Sequence, residues 1–128
     1  MYEAYKRMDK NEIDGLSKFL RLPMYLQAAG RNDEGWSVLN KFILGDFPVK
    51  GYSYCNYQEG REKIIYKISE MGIIYNQMRI FLEKEKKYKQ ASVYACVSYF
   101  TSIAQTWHQI EFEKSEERKI EKERSLQN

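Results

Sequence analysis

Residues 90–110, QASVYACVSYFTSIAQTWHQI, form a stretch of the chain that carries no formal charge. Charged residues make up 30% of the whole sequence and are common on both sides of this stretch. At helical spacing, one of its faces collects apolar side chains in steps of three and four residues. The members of this face are Val93, Val97, Phe100, Ala104 and Trp107, broadened by Cys96, Ile103 and Ile110. A stripe of this width predicts a helix that packs this face into a core.

A second face of the same stretch is small at its N-terminal end and uncharged throughout. Its members are Ala91, Ala95, Ser98, Ser102, Gln105 and Gln109. Small neutral side chains let a neighbouring helix approach closely, and the hydroxyl and amide groups can be hydrogen-bonded across the contact. We therefore predict a helix covered on two sides, by its own bundle and by either another helix of the chain or a second subunit. We assign these residues to a homodimer interface.

The length of the neutral stretch raises the alternative of a membrane span, since about twenty residues cross a bilayer. Its polar content argues against that alternative. Three glutamines, one histidine and several hydroxyl residues would each need a hydrogen-bonding partner in lipid. The flanking charges are of mixed sign and give no orientation signal. We predict no membrane partner.

The composition favours one small cytoplasmic domain. The chain has 128 residues and a net charge of +3, so no strong electrostatic field is implied. Eleven tyrosines exceed the needs of an ordinary core and suit half-buried surfaces and interfaces. The two cysteines, Cys55 and Cys96, lack metal or redox spacing, and no apolar leader follows Met1. Free thiols in a reducing cytoplasm are the expectation.

The periodicity of the rest of the chain predicts an all-α fold, a small helical bundle dominated by a long antiparallel helical hairpin. Its helices span about 58–89 and 90–122, and the link between them is short. The first helix carries a heptad-like seam. The seam consists of Ile64, Ile68, Met71, Tyr75, Met78 and Leu82. Gly72 costs about 1 kcal/mol relative to Ala in mid-helix, so a close helix crossing is expected there.

Shorter helices precede the hairpin. We expect helical structure over 2–22, a short helix over Pro23–Ala29 closed by Gly30, and a helix capped by Asn32 or Asp33 that ends at Gly45. The core face of this third helix is Trp36, Leu39, Phe42 and Ile43. A Tyr-rich loop at 46–57 follows, as an ordered loop or a small hairpin.

The last part of the sequence loses the apolar pattern. Residues 111–124 alternate in sign and predict a solvated helical extension. We divide the chain into a single helical domain, 1–124, and a disordered tail, 125–128.

The residues give no pattern for catalysis, a metal or a cofactor. His108 is the only histidine and lacks the partners that a catalytic or metal site requires. A hydrogen-bonded interface or surface role fits His108 better. Cys55 has cations near it in sequence but no identifiable base. We predict a protein that is not an enzyme.

Two clusters are candidates for binding a partner. Tyr52, Tyr54 and Tyr57 lie near Lys50 and Arg61, and this set suits a protein-binding hot spot, base stacking with phosphate contact, or simple capping of the bundle end. The second cluster is Lys84, Lys86, Lys87 and Lys89. It suits nucleic acid or a solvated helix terminus.

Taken together, these patterns favour a non-catalytic helical protein–protein interaction module: an adaptor, regulator or inhibitor. It would self-associate as a homodimer through the uncharged face of helix 90–110. The alternative is a nucleic-acid-binding protein that uses the Lys84–Lys89 cluster and the tyrosine loop. The sequence leaves open the identity of the protein partner, and whether the neutral face is covered within the chain or by a twin subunit.

Overall fold

The computed structural model describes residues 15–48 and 60–127, and within these ranges every regular element is an α-helix. The helices are α1 (Gly15–Phe19), α2 (Arg21–Ala28), α3 (Asn32–Ile43), α4 (Gly60–Lys84) and α5 (Tyr88–Gln127). The all-α prediction is confirmed. Most of the predicted Tyr-rich loop, with Lys50, Tyr52, Tyr54, Cys55 and Tyr57, lies outside the described residues, as does the part of the predicted N-terminal helix before residue 15.

Helices α4 and α5 form the predicted antiparallel hairpin. Arg61 lies beside His108, Gly72 beside Thr101, and Tyr75 beside Tyr94, so the chain directions oppose each other. The turn between the helices is a Schellman motif. Within it the amides of Lys86 and Lys87 donate to the carbonyls of Glu83 and Leu82, at 3.0 and 2.9 Å. Lys86 adopts a left-handed conformation with φ of 61°.

The short helices begin at different residues from those predicted. The break lies at Leu20, so Leu22 is helical and Pro23 occupies the first turn of α2 rather than its start. Proline is tolerated there because the first-turn amides have no acceptor within the helix. Arg31 is the N-cap of α3, and no side chain caps that helix. The predicted cap by Asn32 or Asp33 is therefore wrong.

The core lies at the turn end of the hairpin, where the short helices pack on it. Its buried members are Leu16, Phe19, Leu20, Leu39, Phe42, Phe47, Ile74, Met78 and Phe81. Trp36 and Ile43 pack against this cluster, so the predicted core face of α3 is confirmed. The seam predicted on α4 is only partly buried, because Ile64 remains 46% exposed.

The predicted close crossing at Gly72 is confirmed. A Cβ atom at Gly72 would lie 2.6 Å from Oγ1 of Thr101, well inside van der Waals contact. The Ser98 hydroxyl donates to the Gly72 carbonyl at 3.3 Å. α4 and α5 therefore approach each other through glycine on one side and small hydroxyl residues on the other.

Helix α5 is longer than predicted and reaches Gln127 instead of ending near residue 122. Every side chain from 117 to 127 is exposed. Pairs of opposite charge three residues apart, such as Glu116 with Lys119 at 3.3 Å, support this solvated part of the helix. The division into a domain of 1–124 and a tail of 125–128 stays a prediction.

No helix in the described ranges has the length and apolar content that crossing a membrane requires.

Candidate interaction surface on helix α5

One face of α5 is used inside the hairpin, and we call it the inner seam. Its members recur in steps of three and four: Ala91, Tyr94, Ser98, Thr101, Gln105, His108 and Phe112. Ala91 is buried, and the Tyr94 ring lies 5.6 Å from the Trp36 ring and 6.2 Å from the Tyr75 ring. Gln105 and Phe112 line a shallow groove with Ile65 and other α4 residues. The face that meets α4 is therefore mostly small or polar.

The residues predicted as a dimer interface divide between the hairpin and the solvent. Ala91 is buried, Ala95 and Gln105 are half-buried, and the Ser98 hydroxyl donates a hydrogen bond to the Gly72 carbonyl. Ser102 and Gln109 are exposed. The open question of what covers the neutral face thus has a partial answer, since α4 of the same chain covers part of it. A homodimer through this face stays a prediction.

The opposite face of α5 carries the large apolar residues, and we call it the outer seam. It consists of Val93, Cys96, Phe100, Ile103, Trp107 and Ile110. All are exposed, with 65% of Phe100 and 55% of Trp107 accessible to solvent. The prediction that this stripe packs into the core of its own bundle is therefore wrong. Val97 and Ala104 are half-buried at its edge.

The Gly72 crossing explains why the smaller face turns inward. A side chain even as small as alanine would collide with Thr101 at that point. Phenylalanine or tryptophan on the facing helix would force the two helices apart and would leave the Gly72 carbonyl without the Ser98 hydroxyl. The glycine was the signal in the sequence that could have identified the inner face, because a costly mid-helix glycine indicates a close helix crossing, and the neutral face of α5 carries the small residues that suit such a crossing.

A cluster at the edge of the hairpin fixes the position of Trp107. Arg61 Nη1 lies 3.1 Å from His108 Nδ1, and because arginine only donates, Nδ1 is the acceptor of this hydrogen bond. Arg61 Cζ also lies 5.7 Å from the centroid of the Trp107 ring, within cation–π distance. The rings of Trp107 and His108 meet edge to face at 4.9 Å. The apolar indole is thereby oriented while much of it stays exposed.

Arg61 and His108 can be compared with their predicted roles. The sequence predicts Arg61 in a partner-binding cluster with the loop tyrosines, and in the described residues Arg61 contacts His108 and Trp107. The tyrosines of that cluster lie outside the described residues, so the cluster stays a prediction. His108 makes a hydrogen bond within the hairpin.

The outer seam is flanked by segments of opposite charge. The seven residues 83–89 contain four lysines and two glutamates, net +2, and the seven residues 111–117 contain four glutamates and one lysine, net −3. All four lysines of the predicted nucleic-acid cluster are exposed, and Lys87 lies 3.1 Å from Glu85. An uncharged seam therefore runs between a basic end and an acidic end.

The described part of the chain shows no grouping of His, Cys, Asp or Glu side chains that could hold a metal ion.

Comparisons of the chain with protein-family models, with curated proteins and with solved structures found no match.

Proposed function

We propose that the protein is a non-catalytic helical interaction module whose binding surface is the outer seam of α5. One observation supports this most: six apolar residues at heptad spacing are exposed on a helix whose other side is occupied by α4. Contiguous exposed apolar surface of this kind is characteristic of binding sites, because leaving it in water is unfavourable.

The spacing of the seam favours a helical partner. Steps of three and four keep the side chains on one line along α5, so they can act as knobs that fill holes in a facing helix. Trp107 lies within the seam, with Arg61 over its ring and the His108 ring meeting it edge to face. Tryptophan is enriched among the residues that dominate binding energy at protein interfaces.

A photo-crosslinking experiment tests the proposal. A benzophenone amino acid is placed at Ile103, in the outer seam, or at Ser102, which is exposed on the neutral face and is its immediate neighbour. In cells that express the chain, we expect covalent protein adducts from position 103 and few from position 102. Adducts from position 102 alone would instead support the neutral face as the interface, and no adduct from either position would refute an interaction through α5.

A second candidate function is nucleic-acid binding, since Lys84, Lys86, Lys87 and Lys89 are all exposed at the hairpin turn. Phosphate contacts release counterions, so binding through this cluster would weaken steeply with salt. Titration with single- and double-stranded DNA at increasing salt measures this dependence. The absence of binding at moderate salt would exclude this candidate.

A further inference from the structure

We infer that the outer seam of α5 binds the same seam of a second copy of this chain, with the two helices antiparallel. This inference rests on the proposed function and names its partner. Heptad spacing allows several helical partners, so the case for a second copy depends on whether the seam is complementary to itself. Charge and side-chain size both bear on that question.

The charges at the two ends favour an antiparallel pair. With one copy reversed, the basic segment 83–89 of each chain lies beside the acidic segment 111–117 of the other. A parallel pair would place the two basic segments together and the two acidic segments together. Opposite charges that face each other across an interface favour the correct orientation, and like charges disfavour the wrong one.

The sizes of the seam residues lead to the same arrangement. When Phe100 of one copy faces Ile103 of the other, Cys96 faces Trp107 and Val93 faces Ile110. The largest side chain of the seam, Trp107, then packs against the smallest, Cys96, of the other copy, which suits dense packing. In a parallel pair Trp107 would meet Trp107 and Cys96 would meet Cys96, so one layer would be crowded and another underfilled.

The same register defines the charged contacts. It sets Lys86, in the turn before α5, level with Glu117 of the other copy and Lys89 level with Lys114, so the attraction is between the two segments as wholes, net +2 against net −3. These four side chains are exposed at the surface of the single chain. The apolar seam itself extends about 25 Å, from the helical rise of 1.5 Å per residue.

The first experiment measures the mass of the purified chain by sedimentation equilibrium over a range of concentrations. We expect a reversible dimer for the wild type, a monomer for Ile103→Glu, and a dimer for Ser102→Glu, the control on the neighbouring exposed face. Circular dichroism checks that both variants keep their helical content. A monomeric wild type, or an Ile103→Glu variant with unchanged dimer affinity, overturns the inference.

The second experiment tests orientation by exchanging charges. Glu116→Lys with Glu117→Lys should raise the dimer Kd about tenfold at low salt, because segment 111–117 changes from net −3 to net +1 and then repels the basic segment 83–89. Adding Lys86→Glu and Lys87→Glu to the same chain should restore the affinity. If the quadruple variant does not recover the wild-type dimer Kd although each double variant folds normally, the antiparallel arrangement is overturned.

The third experiment uses the native thiol at Cys96 in a Cys55→Ser background with an added mild oxidant. In the antiparallel register the two Cys96 residues are about 16 Å apart along the axis, too far for a disulfide. Trp107→Cys should allow a crosslink between the two copies, whereas the background chain alone should not. Efficient crosslinking of the background chain would show that the two Cys96 residues face each other, which contradicts this register and overturns the inference.

The outcomes separate this inference from the proposed function. A chain that is monomeric at every concentration, but that forms adducts with a different protein from position 103, overturns the second copy as partner and leaves the interaction module intact. A monomeric chain without adducts from position 103 overturns both.

Discussion

Gly72 and Thr101 set the distance between the two long helices. A Cβ atom at Gly72 would lie 2.6 Å from Oγ1 of Thr101 but 3.4 Å from the Cβ of Thr101. The hydroxyl, rather than the helix backbone, is therefore what excludes a larger residue. The Thr101 hydroxyl also donates to the Ser98 carbonyl at 2.6 Å, which restrains the side chain.

This geometry predicts that the effect of Gly72→Ala changes sign with the residue at position 101. In the wild-type chain the substitution should destabilise by about 1–2 kcal/mol, because overpacking outweighs the better helix propensity of alanine. In a Thr101→Ala chain it should stabilise by roughly 0.5–1 kcal/mol, because only the propensity remains. Urea unfolding of the four chains measures the coupling, and additive effects would contradict the crossing geometry.

Lys86 offers a second prediction, because it holds a left-handed conformation that costs an L-residue about 1–2 kcal/mol. Lys86→Gly should stabilise the monomer by about 0.5–1 kcal/mol, less than the full cost since glycine also gains entropy in the unfolded chain. Lys89→Gly, within α5, is the control and should destabilise. Thermal unfolding at one protein concentration compares them, and a destabilising Lys86→Gly would argue against the Schellman turn.

Glu34 gives a pH-dependent prediction. Hydrogen bonds from Arg31 lower the pKa of this carboxyl below its usual value. A lowered pKa in the folded state means that the stabilising effect is present above the ordinary pKa and is lost as pH falls through the folded value. Carboxyl NMR titration should show a low midpoint for Glu34 that rises in Arg31→Gln. An unchanged midpoint in that variant would contradict the pairing.

At the scale of the element, α5 has two seams on opposite sides and a solvated extension. The inner seam packs on α4, the outer seam is exposed, and residues 117–127 have every side chain accessible. These parts should differ in how much they contribute to the stability of the single chain.

Truncation after Glu117 should therefore change the free energy of unfolding by no more than about 0.5 kcal/mol, the range typical of exposed positions. Truncation after Thr101 removes Gln105, His108 and Phe112 from the inner seam and should destabilise strongly. Denaturant unfolding at several protein concentrations, extrapolated to the concentration at which only monomer is present, compares the free energies of unfolding of the two truncated chains. A large loss of stability from truncation after Glu117 would show that residues 118–127 contact the rest of the protein.

At the scale of the whole molecule, packing is unevenly distributed along the hairpin. The fully buried side chains Ile74, Met78 and Phe81 lie near the turn, where the short helices cover α4. On the described α4, the members of the core cluster begin at Ile74, and Arg61 near the other end contacts His108 and Trp107 of α5. Local opening is easier where fewer apolar side chains are buried.

Hydrogen exchange should reflect this gradient. Amides in residues 74–82 should be the most protected, amides in 61–69 should exchange faster, and amides in 117–127 should be nearly unprotected. Protection in 93–110 should rise with protein concentration if the outer seam pairs with a second copy, while protection in 117–127 should not. Uniform protection along α4 would contradict a core confined to the turn end.

Much of the architecture follows from the sequence by itself. Helical periodicity, the absence of charge between residues 90 and 110 and the short charged link specify the all-α class and the long hairpin. The face of α3 and the crossing at Gly72 are also predictable, because apolar spacing and a mid-helix glycine are local signals. Boundaries near Leu20 and Gln127 were less predictable, since helix ends depend on weak competing preferences.

Only the tertiary structure decided which face of α5 turns inward. Both faces are uncharged, so the charge pattern of α5 does not distinguish them, and greater hydrophobicity alone points to the wrong one. The choice depends on the fit to Gly72, which lies 29 residues before Thr101 in the chain. Close packing at that glycine favours small residues, and the larger apolar side chains are consequently left on the outside.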